Sequence, residues 1–409
     1  MTMGCNASKE NFAKINSATS KYYEQGSYAK ALEFYAMCLR VQESVLGKNH
    51  PDTATTYNNI ALVYDAQGAY DKALEFYAKA LAIQEQAVLG TNHPDTATTY
   101  DNNASVYYKL NDKALEFYGK SLAICETVLG TGHLDTATTY GNIALVYNDH
   151  GLYTKALAYN IKCLDIRKTV LGKNHPDTAT TYNNIASVYY KQGMYDKALG
   201  FYRKALIIQE TKLDKKHPDT AKTYNNTATV YLAKGLYDEA LEFNGKALAI
   251  KEAVLGKNHP DTATSYNNMA SVYYKQGDHD KALEYYTRTL DIQETTLGKN
   301  HPDTATTYDN LATVYYDQGA YDKAIDFNGQ CIFIRESTLG TNHPDTATAY
   351  KLNTLIYYGK GRKNKAWEFL QKSHSSFEHA LGSDHKDTKD VEDRVNNLFK
   401  ELREKNPQY

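Results

Sequence analysis

The stretch NHPDTATTYNNIALVYDAQG (residues 49–68) decides the fold, because close copies of it follow one another along the chain. Its His-Pro-Asp tripeptide stands at seven places, and two further copies have Leu or Lys instead of the proline. Successive histidines are 43, 40 and then, six times, 42 residues apart. A fixed period of this length indicates an array in which each copy is one supersecondary unit. The nine histidines are His50, His93, His133, His175, His217, His259, His301, His343 and His385.

Each copy contains two helical patterns with a glycine between them. Tyr57, Ile60, Ala61 and Tyr64 lie at i, i+3, i+4 and i+7, which is one face of a first helix. A glycine interrupts the pattern, and a second apolar stripe runs over residues 70–81. Small residues on both stripes allow the two helices to approach closely, and the tyrosines fill the remaining volume. This recurrence accounts for most of the 37 tyrosines.

The linker between copies predicts a helix end followed by a helix start. Gly47 fits a left-handed C-terminal cap, and Pro51 prevents continuation of the preceding helix. Asp52 or Thr53 is expected to accept backbone N–H groups at the start of the next helix. His50 is expected beside that start, either exposed or hydrogen-bonded to a neighbouring loop.

Bulk composition excludes several classes of protein. Lys plus Arg (46) nearly balance Asp plus Glu (48), so no global field favours nucleic acid or an acidic membrane. No run approaches the ~18 apolar residues of a membrane span, and the N-terminus shows no secretory apolar region. Five scattered cysteines argue against a disulfide framework and fit a reducing compartment. We therefore expect a cytoplasmic protein.

The unit as a whole resembles the tetratricopeptide repeat (TPR). The resemblance rests on a Tyr-x-x-Ile-Ala-x-x-Tyr helix, a Gly, an Ala-x-x-x-Tyr-x-x-Ala-Leu helix and a Pro-containing linker. The 42-residue period and the wording LGKNHPDTATTYNNIALVYDAQGAYDKALEFYAKAL are similar to the kinesin light chain subclass. The resemblance implies an all-α fold, a right-handed superhelical solenoid of about nine helix-turn-helix hairpins with a C-terminal capping helix.

The expected organisation is a disordered tail at 1–9, a solenoid at 10–382, and a capping helix and tail at 383–409. In the last helix Val391, Val395, Leu398 and Leu402 form one apolar stripe, as a solenoid cap requires. The hairpins, numbered here as repeats 1 to 9, are expected at about 10–46, 52–88, 95–129, 135–171, 177–213, 219–255, 261–297, 303–339 and 345–381.

A second stripe on the first helix lies beside its core face, and in this family the corresponding stripe lines a concave groove. One position on it is asparagine in seven consecutive repeats: Asn59, Asn102, Asn142, Asn184, Asn226, Asn268 and Asn310. Asn is a mediocre helix former, so seven mid-helix copies indicate a further role. A carboxamide can donate and accept, and so can bracket one peptide unit of an extended ligand. The resemblance implies the same role, whereas the alternatives are hydrogen bonds between neighbouring first helices or simple copying of DNA.

A two-repeat rhythm overlies the 42-residue period. The sequence ASVYYK recurs in repeats 3, 5 and 7. In repeats 4, 6 and 8 a second-helix tyrosine is replaced by Asn160, Asn244 and Asn328. Both patterns fit an array that grew by copying an 84-residue pair of repeats. The rhythm predicts Tyr plus Lys near the groove in every second repeat, which suits an extended peptide with aromatic and acidic side chains. Alternatively, the tyrosines pack between hairpins and the lysines are solvated. The residues are Tyr108, Lys109, Tyr190, Lys191, Tyr274 and Lys275.

Catalytic and metal chemistry find no support in the sequence. A catalytic histidine is normally unique, whereas His50 has eight counterparts in the same linker. J-domain co-chaperones also carry His-Pro-Asp, but once, between two particular helices. Cys38, Cys163 and Cys331 occupy a helix-packing slot and are expected to be small buried hydrophobes, with Cys125 one turn later. The sequence predicts a non-enzymatic scaffold or adaptor for protein partners, with no cofactor, metal or nucleic acid.

The N-terminus offers a second function. MGCNASK (3–9) matches an N-myristoylation pattern at Gly4, and Cys5 is placed for palmitoylation, provided that translation begins at Met3. Two acyl chains would hold the protein at the cytosolic face of a membrane as a signalling adaptor. A third reading is a kinesin light chain-like cargo adaptor. That family carries an N-terminal coiled coil for the motor heavy chain, and only about ten residues without heptads precede the first hairpin here.

Overall fold

The computed structural model describes Tyr22 and residues 27–86, 92–110, 113–213 and 216–405, with side chains to residue 395. Eighteen α-helices and no strands occur in these ranges, so the all-α TPR solenoid is confirmed. The chain forms two compact units, residues 1–208 and 209–409. Unit 1 contains α1 (Tyr28–Val45), α2 (Pro51–Ala66), α3 (Tyr70–Gln86), α4 (Pro94–Lys109), α5 (Ala114–Ile124, then a π-helical turn at Cys125–Leu129), α6 (Leu134–Asp149), α7 (Tyr153–Val170) and α8 (Pro176–Lys191).

Helix α9 (Tyr195–Lys212) contains the boundary between the units. Unit 2 continues with α10 (Pro218–Ala233), α11 (Tyr237–Leu255), α12 (Pro260–Gln276), α13 (His279–Thr296), α14 (Pro302–Asp317), α15 (Tyr321–Thr338), α16 (Pro344–Gly359), α17 (Lys363–Leu381) and α18 (Lys386–Lys405). Even-numbered helices from α2 to α16 are the first helices of repeats 2 to 9, and each packs against the second helix of its own repeat.

The repeated histidine is the N-cap of every first helix from α2 to α16 and of α18. His50 has an extended backbone, and its Nδ1 accepts the Asp52 backbone N–H at 3.1 Å. The same bond recurs at the other eight copies, at 3.1–3.2 Å. The prediction that Asp52 or Thr53 caps the helix is therefore wrong. Proline at the first helical position fits, because an N–H there has no intrahelical partner.

Thr53 has a different task from the one predicted. Its hydroxyl donates to the Gly47 carbonyl at 3.2 Å, and so joins the start of one helix to the end of the previous one. Equivalent bonds occur at five other linkers and before α18. Gly130 shows why glycine stands at these ends: its φ of 91° and ψ of 159° lie in a region that essentially only glycine adopts. This geometry replaces the predicted left-handed cap.

The core of each repeat is built from small residues and tyrosines, as predicted. Ala61 and Ala73 are fully buried where α2 faces α3, and Tyr77 is buried beside them. Asn160, Asn244 and Asn328 take the Tyr77 slot in later repeats and are 0–3% exposed. The Asn328 amide donates to the Ala349 carbonyl of the next first helix at 2.9 Å, so the slot changes from ring packing to a hydrogen bond between repeats.

A second set of tyrosines joins consecutive repeats. The Tyr57 hydroxyl on α2 donates to Glu43 on α1 at 2.8 Å, and Tyr308 on α14 donates to Glu294 on α13 at 2.5 Å. Five further repeats make the same bond. Burial and the neighbouring carboxylate raise the pKa of Tyr57 to about 12, so it remains a donor at neutral pH. The tyrosine excess thus serves both packing within a repeat and bonding between repeats.

First helices approach one another most closely in pairs. The closest pairs are α2 with α4 and α6 with α8 in unit 1, and α10 with α12 and α14 with α16 in unit 2. This structural rhythm has the same two-repeat period as the ASVYYK wording. Within each unit, interfaces between consecutive repeats therefore come in two alternating kinds.

The C-terminal helix α18 covers the last repeat. Val391 is fully buried against α16 and α17, and Val395 packs against the same cluster, so this part of the predicted stripe is confirmed. Leu398 and Leu402 lie beyond the described side chains. Over the ranges that the structure describes, no helix has the length and apolarity needed to cross a bilayer.

Candidate peptide-binding groove

The seven predicted groove asparagines share one environment. Each lies in the middle of a first helix, and each is half-buried rather than buried or fully exposed. Thr55, one turn before Asn59, is exposed, and Leu62 is half-buried, so this stripe borders solvent beside the core face. A half-buried carboxamide is accessible to a ligand and also held in place by its neighbours.

Two of the seven amides bridge neighbouring first helices. Asn102 Nδ2 donates to Asn58 Oδ1 at 3.3 Å, and Asn310 Nδ2 donates to Asn267 Oδ1 at 3.0 Å. The structural alternative is therefore realised at these two positions. The side-chain amides of the other five asparagines make no hydrogen bond to another described residue.

The lysines of repeats 3 and 5 pair with aspartates of the preceding repeat. Lys109 Nζ lies 2.7 and 2.9 Å from the two carboxylate oxygens of Asp65, and Lys191 Nζ lies 2.6 Å from Asp149 Oδ1. Both pairs join the C-terminal ends of closely paired first helices, α2 with α4 and α6 with α8. We call this position, at residues 65, 109, 149, 191, 233, 275, 317 and 359, the charge row.

Two of the three tyrosines that precede the repeated lysines bond across an interface between repeats. The Tyr108 hydroxyl donates to Asp149, and the Tyr274 hydroxyl donates to Asp317 at 2.6 Å. Tyr190 packs on Tyr195 of its own repeat, with ring centroids 6.0 Å apart. Tyr108 and Tyr274 thus use the wider interfaces, α4 with α6 and α12 with α14, whereas the lysines use the closer ones.

Asp149 accepts hydrogen bonds from both a tyrosine and a lysine, Tyr108 and Lys191. Burial acts to raise the pKa of Asp149, but the hydrogen bonds from Lys191 and Tyr108 outweigh burial and lower it. Burial and the bond to Asp149 raise the pKa of Tyr108 to about 12. The ionised carboxylate and the neutral phenol are therefore the forms that this contact stabilises at neutral pH.

The charge row is incomplete in unit 2. Ala233 stands where Asp65 and Asp149 stand, so exposed Lys275 has no carboxylate partner among the described residues and lies 5.4 Å from the ring centroid of Tyr274. Gly359 stands where a lysine would pair with Asp317. A Cβ there would lie 2.8 Å from Tyr321 Cε1, so the ring occupies the space of a longer side chain.

Asp65 and Asp149, the acidic members of the charge row in unit 1, are absent from the residues predicted from the sequence. The signal was present, because Asp65, Lys109, Asp149 and Lys191 alternate in sign at near-constant spacing. Opposite charges one repeat apart on adjacent helices can pair, so alternation at the repeat period predicts a bond between repeats.

The comparisons with known proteins identify the repeat. A family model described as the tetratricopeptide repeat matches residues 14–86, 95–169, 135–211, 177–253, 219–295 and 261–337. The chain belongs to the tetratricopeptide repeat family. The predicted family is confirmed over most of the chain. No curated protein sequence matches it significantly.

Several solved structures are similar to this TPR protein. A signal transduction ATPase with a tetratricopeptide repeat sensor from Pyrococcus horikoshii is 16% identical, with a TM-score of 0.56 over 91% of this chain and 54% of that one. The apo form of RapI is 18% identical, with a TM-score of 0.54 over 69% and 98%. The nearly identical repeats assigned to a kinesin light chain of Podosopora anserina are 25% identical, with a TM-score of 0.45 over 51% and 98%. The first two likenesses concern the fold alone.

Remaining candidate sites of the TPR protein are structural or lie outside the described residues. Cys38, Cys163 and Cys331 are 0–1% exposed, which confirms their burial, and burial raises the pKa of all three thiols. Within the described ranges no three His, Cys, Asp or Glu side chains are grouped to hold a metal. Gly4 and Cys5 lie outside the described residues.

Proposed function

We propose that this TPR protein is a non-enzymatic scaffold that binds extended peptide segments of partner proteins along the first-helix faces of its units. The observation that carries the proposal is the row of half-buried asparagines, five of which have no described hydrogen-bond partner. A repeat family whose members bind proteins supplies the context for this row. In an extended peptide each backbone unit offers one donor and one acceptor, which a carboxamide matches.

The charge row defines the proposed side-chain preference. Lys275 is exposed and has no described carboxylate partner, so it is the primary anchor for an acidic ligand residue, with Tyr274 beside it to pack against an aromatic residue. Lys109 and Lys191 are already paired with aspartates. An acidic ligand must displace those carboxylates, so we expect the strongest acidic contacts in unit 2.

The test compares two sets of asparagines on the same helix face. The triple variant Asn184→Ala, Asn226→Ala, Asn268→Ala removes amides without described partners, whereas the double variant Asn102→Ala, Asn310→Ala removes the two that bridge helices. Affinity is measured by fluorescence anisotropy for a peptide selected on the wild type from a random 12-residue display library. We expect at least a tenfold loss of affinity in the triple variant, with the thermal midpoint nearly unchanged, because each lost bond to a desolvated amide contributes about 0.5–1.5 kcal/mol.

The double variant serves as the matched control. It is expected to lower the thermal midpoint more than the affinity, since its amides bond within the protein. Unchanged affinity in the triple variant would remove the basis of the proposed function.

A membrane-tethered adaptor is the second proposal, and it rests on MGCNASK at 3–9. One myristoyl chain gives only marginal membrane binding, and a palmitoyl chain on Cys5 would make the attachment stable. In eukaryotic cells, a chain that begins at Met3 is expected to incorporate a myristate analogue, and a Gly4→Ala variant is not. If the chain that begins at Met3 and retains Gly4 does not incorporate the myristate analogue, the membrane tether is excluded. A motor-cargo role would further require a separate route to a heavy chain.

A further inference from the structure

A cavity of about 300 Å³ opens between α4 and α6, at the wider interface of repeats 3 and 4. Asp101 and Asn102 line it from α4, and Asp135 and Asn142 line it from α6. Cys125, on the π-helical turn after α5, contributes to the wall as well. The cavity therefore lies on the groove side of unit 1, between two asparagines of the predicted ladder.

Asp101 is the more buried of the two aspartates that line this cavity. Its Oδ2 accepts the Thr139 hydroxyl at 2.8 Å, while its Oδ1 is buried without a hydrogen-bond partner. No lysine or arginine of the described residues pairs with it. Burial raises the pKa of Asp101 to about 6, although the nearby Thr139 and Ser121 hydroxyls act to lower it. A buried carboxylate with hydroxyl partners but no cation is an incompletely compensated charge.

Asp309 in repeat 8 occupies the same position and has the missing cation. Arg335 Nη2 lies 3.5 Å from Asp309 Oδ2, and Arg335 Nη1 donates to the Asp345 carbonyl of the next first helix at 2.9 Å. Arg335 lies seven residues after Asn328, which takes the Tyr77 slot in its repeat. The position equivalent to Arg335 is Arg167 in repeat 4 and Lys251 in repeat 6. Both side chains donate to the equivalent backbone carbonyl, at 3.0 and 2.9 Å. The array thus uses this slot repeatedly for a cation.

Repeat 3 has the acceptors without the cation. Cys125 fills the slot, and Asp135 follows it by ten residues, as Asp345 follows Arg335. The carboxylate of Asp101 and the carbonyl of Asp135 therefore correspond to the two acceptors that Arg335 satisfies in repeat 8. The two-residue shortening of repeat 3 falls in the hairpin turn at 109–113, outside this arrangement.

We propose that the cavity binds the guanidinium group of an arginine side chain from a partner segment. Arginine fits better than lysine, because its planar group can donate in two directions and is more weakly hydrated than an ammonium group. The proposal deepens the proposed function and rests on it, since the arginine belongs to a peptide that lies in the groove. It adds a preference for a basic ligand residue in unit 1 to the preference for acidic ligand residues proposed for unit 2.

The first experiment supplies the guanidinium within the chain and needs no ligand. Cys125→Arg is expected to raise the thermal midpoint of the full chain by about 2–4 °C, and to give no rise in an Asp101→Asn background. Cys125→Ser controls for loss of the thiol. An equal fall of the midpoint in both backgrounds would overturn the proposal, because the cavity would then not accommodate a guanidinium beside Asp101.

The second experiment supplies the guanidinium group on a separate peptide. Peptides are selected from a random 12-residue display library on the wild type, Asp101→Asn, Cys125→Arg and Cys125→Ser proteins. A fixed arginine is expected in the peptides from the wild type and Cys125→Ser, and its enrichment is expected to vanish on the other two. Replacing that arginine with citrulline is expected to weaken binding to the wild type at least tenfold and to Asp101→Asn by less than twofold.

The outcomes separate the two proposals. Selected peptides without a fixed arginine, or with an arginine that survives on Asp101→Asn, contradict the arginine site while leaving the groove intact. If no peptide is enriched on any protein, the proposed peptide-binding function fails. In that case the stability comparison of Cys125→Arg in the two backgrounds still decides whether the cavity holds a guanidinium.

Discussion

The two units place their uncompensated charges in opposite places. In unit 1 the charge row is complete, with Asp65 and Asp149 paired to lysines, while Asp101 lacks a cation inside the interface. In unit 2 Asp309 inside the interface is paired with Arg335, while the charge row has lost one partner of each pair. One repeat framework therefore presents an inner anionic site in one unit and two outer charges without their ion-pair partners, Lys275 and Asp317, in the other.

The difference shows how a nearly uniform array acquires distinct binding positions. The helical hairpins and their histidine caps recur in both units, so a single change at a recurrent slot, such as cysteine for arginine, alters the chemistry of an interface while the hairpin is retained. Candidate binding sites in this protein therefore lie where a repeat lacks one member of an ion pair that other repeats have.

The largest expected loss of stability comes from breaking the Asp309–Arg335 ion pair in unit 2. Arg335→Ala leaves the Asp309 carboxylate buried without a cation and removes the bond to the Asp345 carbonyl. We expect a loss of about 3 kcal/mol in the free energy of unfolding, measured by urea denaturation. In an Asp309→Asn background the same change is expected to cost less than half as much. Equal losses in both backgrounds would show that the pair does not act as a charge pair.

The uncompensated carboxylate of unit 1 predicts a pH dependence. The pKa of Asp101 is raised to about 6 in the folded protein, so the fold binds this proton more tightly than the unfolded chain does. The resulting stabilisation is present at low pH and is lost as the pH rises from about 4 through 6. The stability of the wild type relative to Asp101→Asn should therefore fall by about 2 kcal/mol between pH 4.5 and 7.5. A pH-independent difference between the two proteins would contradict the assignment.

The outer row of unit 1 should respond less, because its side chains are partly exposed. Asp149→Ala removes the acceptor of both Lys191 and Tyr108 and is expected to cost about 1–2 kcal/mol after allowance for solvent screening. Asp317→Ala, which loses only the bond from Tyr274, is the control and should cost about half as much. Thermal or urea unfolding of both variants at low and high salt tests the ranking.

The smallest effect is expected from completing the row in unit 2. Ala233→Asp places a carboxylate where Asp65 and Asp149 stand, one repeat before Lys275. We expect a gain of about 0.3–0.5 kcal/mol that disappears in high salt, together with weaker binding of acidic peptides. Ala233→Asn is the neutral control. Stronger binding of acidic peptides by Ala233→Asp would contradict the role of Lys275 as an anchor.

The sequence predicted the repeat, the helices and the buried small residues, because periodicity and residue size determine them directly. It did not predict that His50 rather than Asp52 caps the helix, since the choice between two nearby acceptors depends on backbone geometry. Nor did it reveal that Asp149 holds Lys191 and Tyr108, because such bonds depend on how closely first helices approach. Asp101 illustrates the remaining difficulty: its missing cation became visible only beside Asp309 in the folded protein.

The charge row also limits how the length of the array can change. Removing two adjacent repeats, such as 3 and 4, would bring Asp65 next to Lys191 and preserve the alternation of sign. Removing only repeat 4 would bring Lys109 next to Lys191, and removing only repeat 3 would bring Asp65 next to Asp149. Like charges would then face each other between closely packed helices. In the alternating part of the row, from Asp65 to Lys191, even changes in the number of repeats keep opposite charges adjacent and odd changes do not. Arrays that carry such a row are therefore expected to gain and lose repeats in twos.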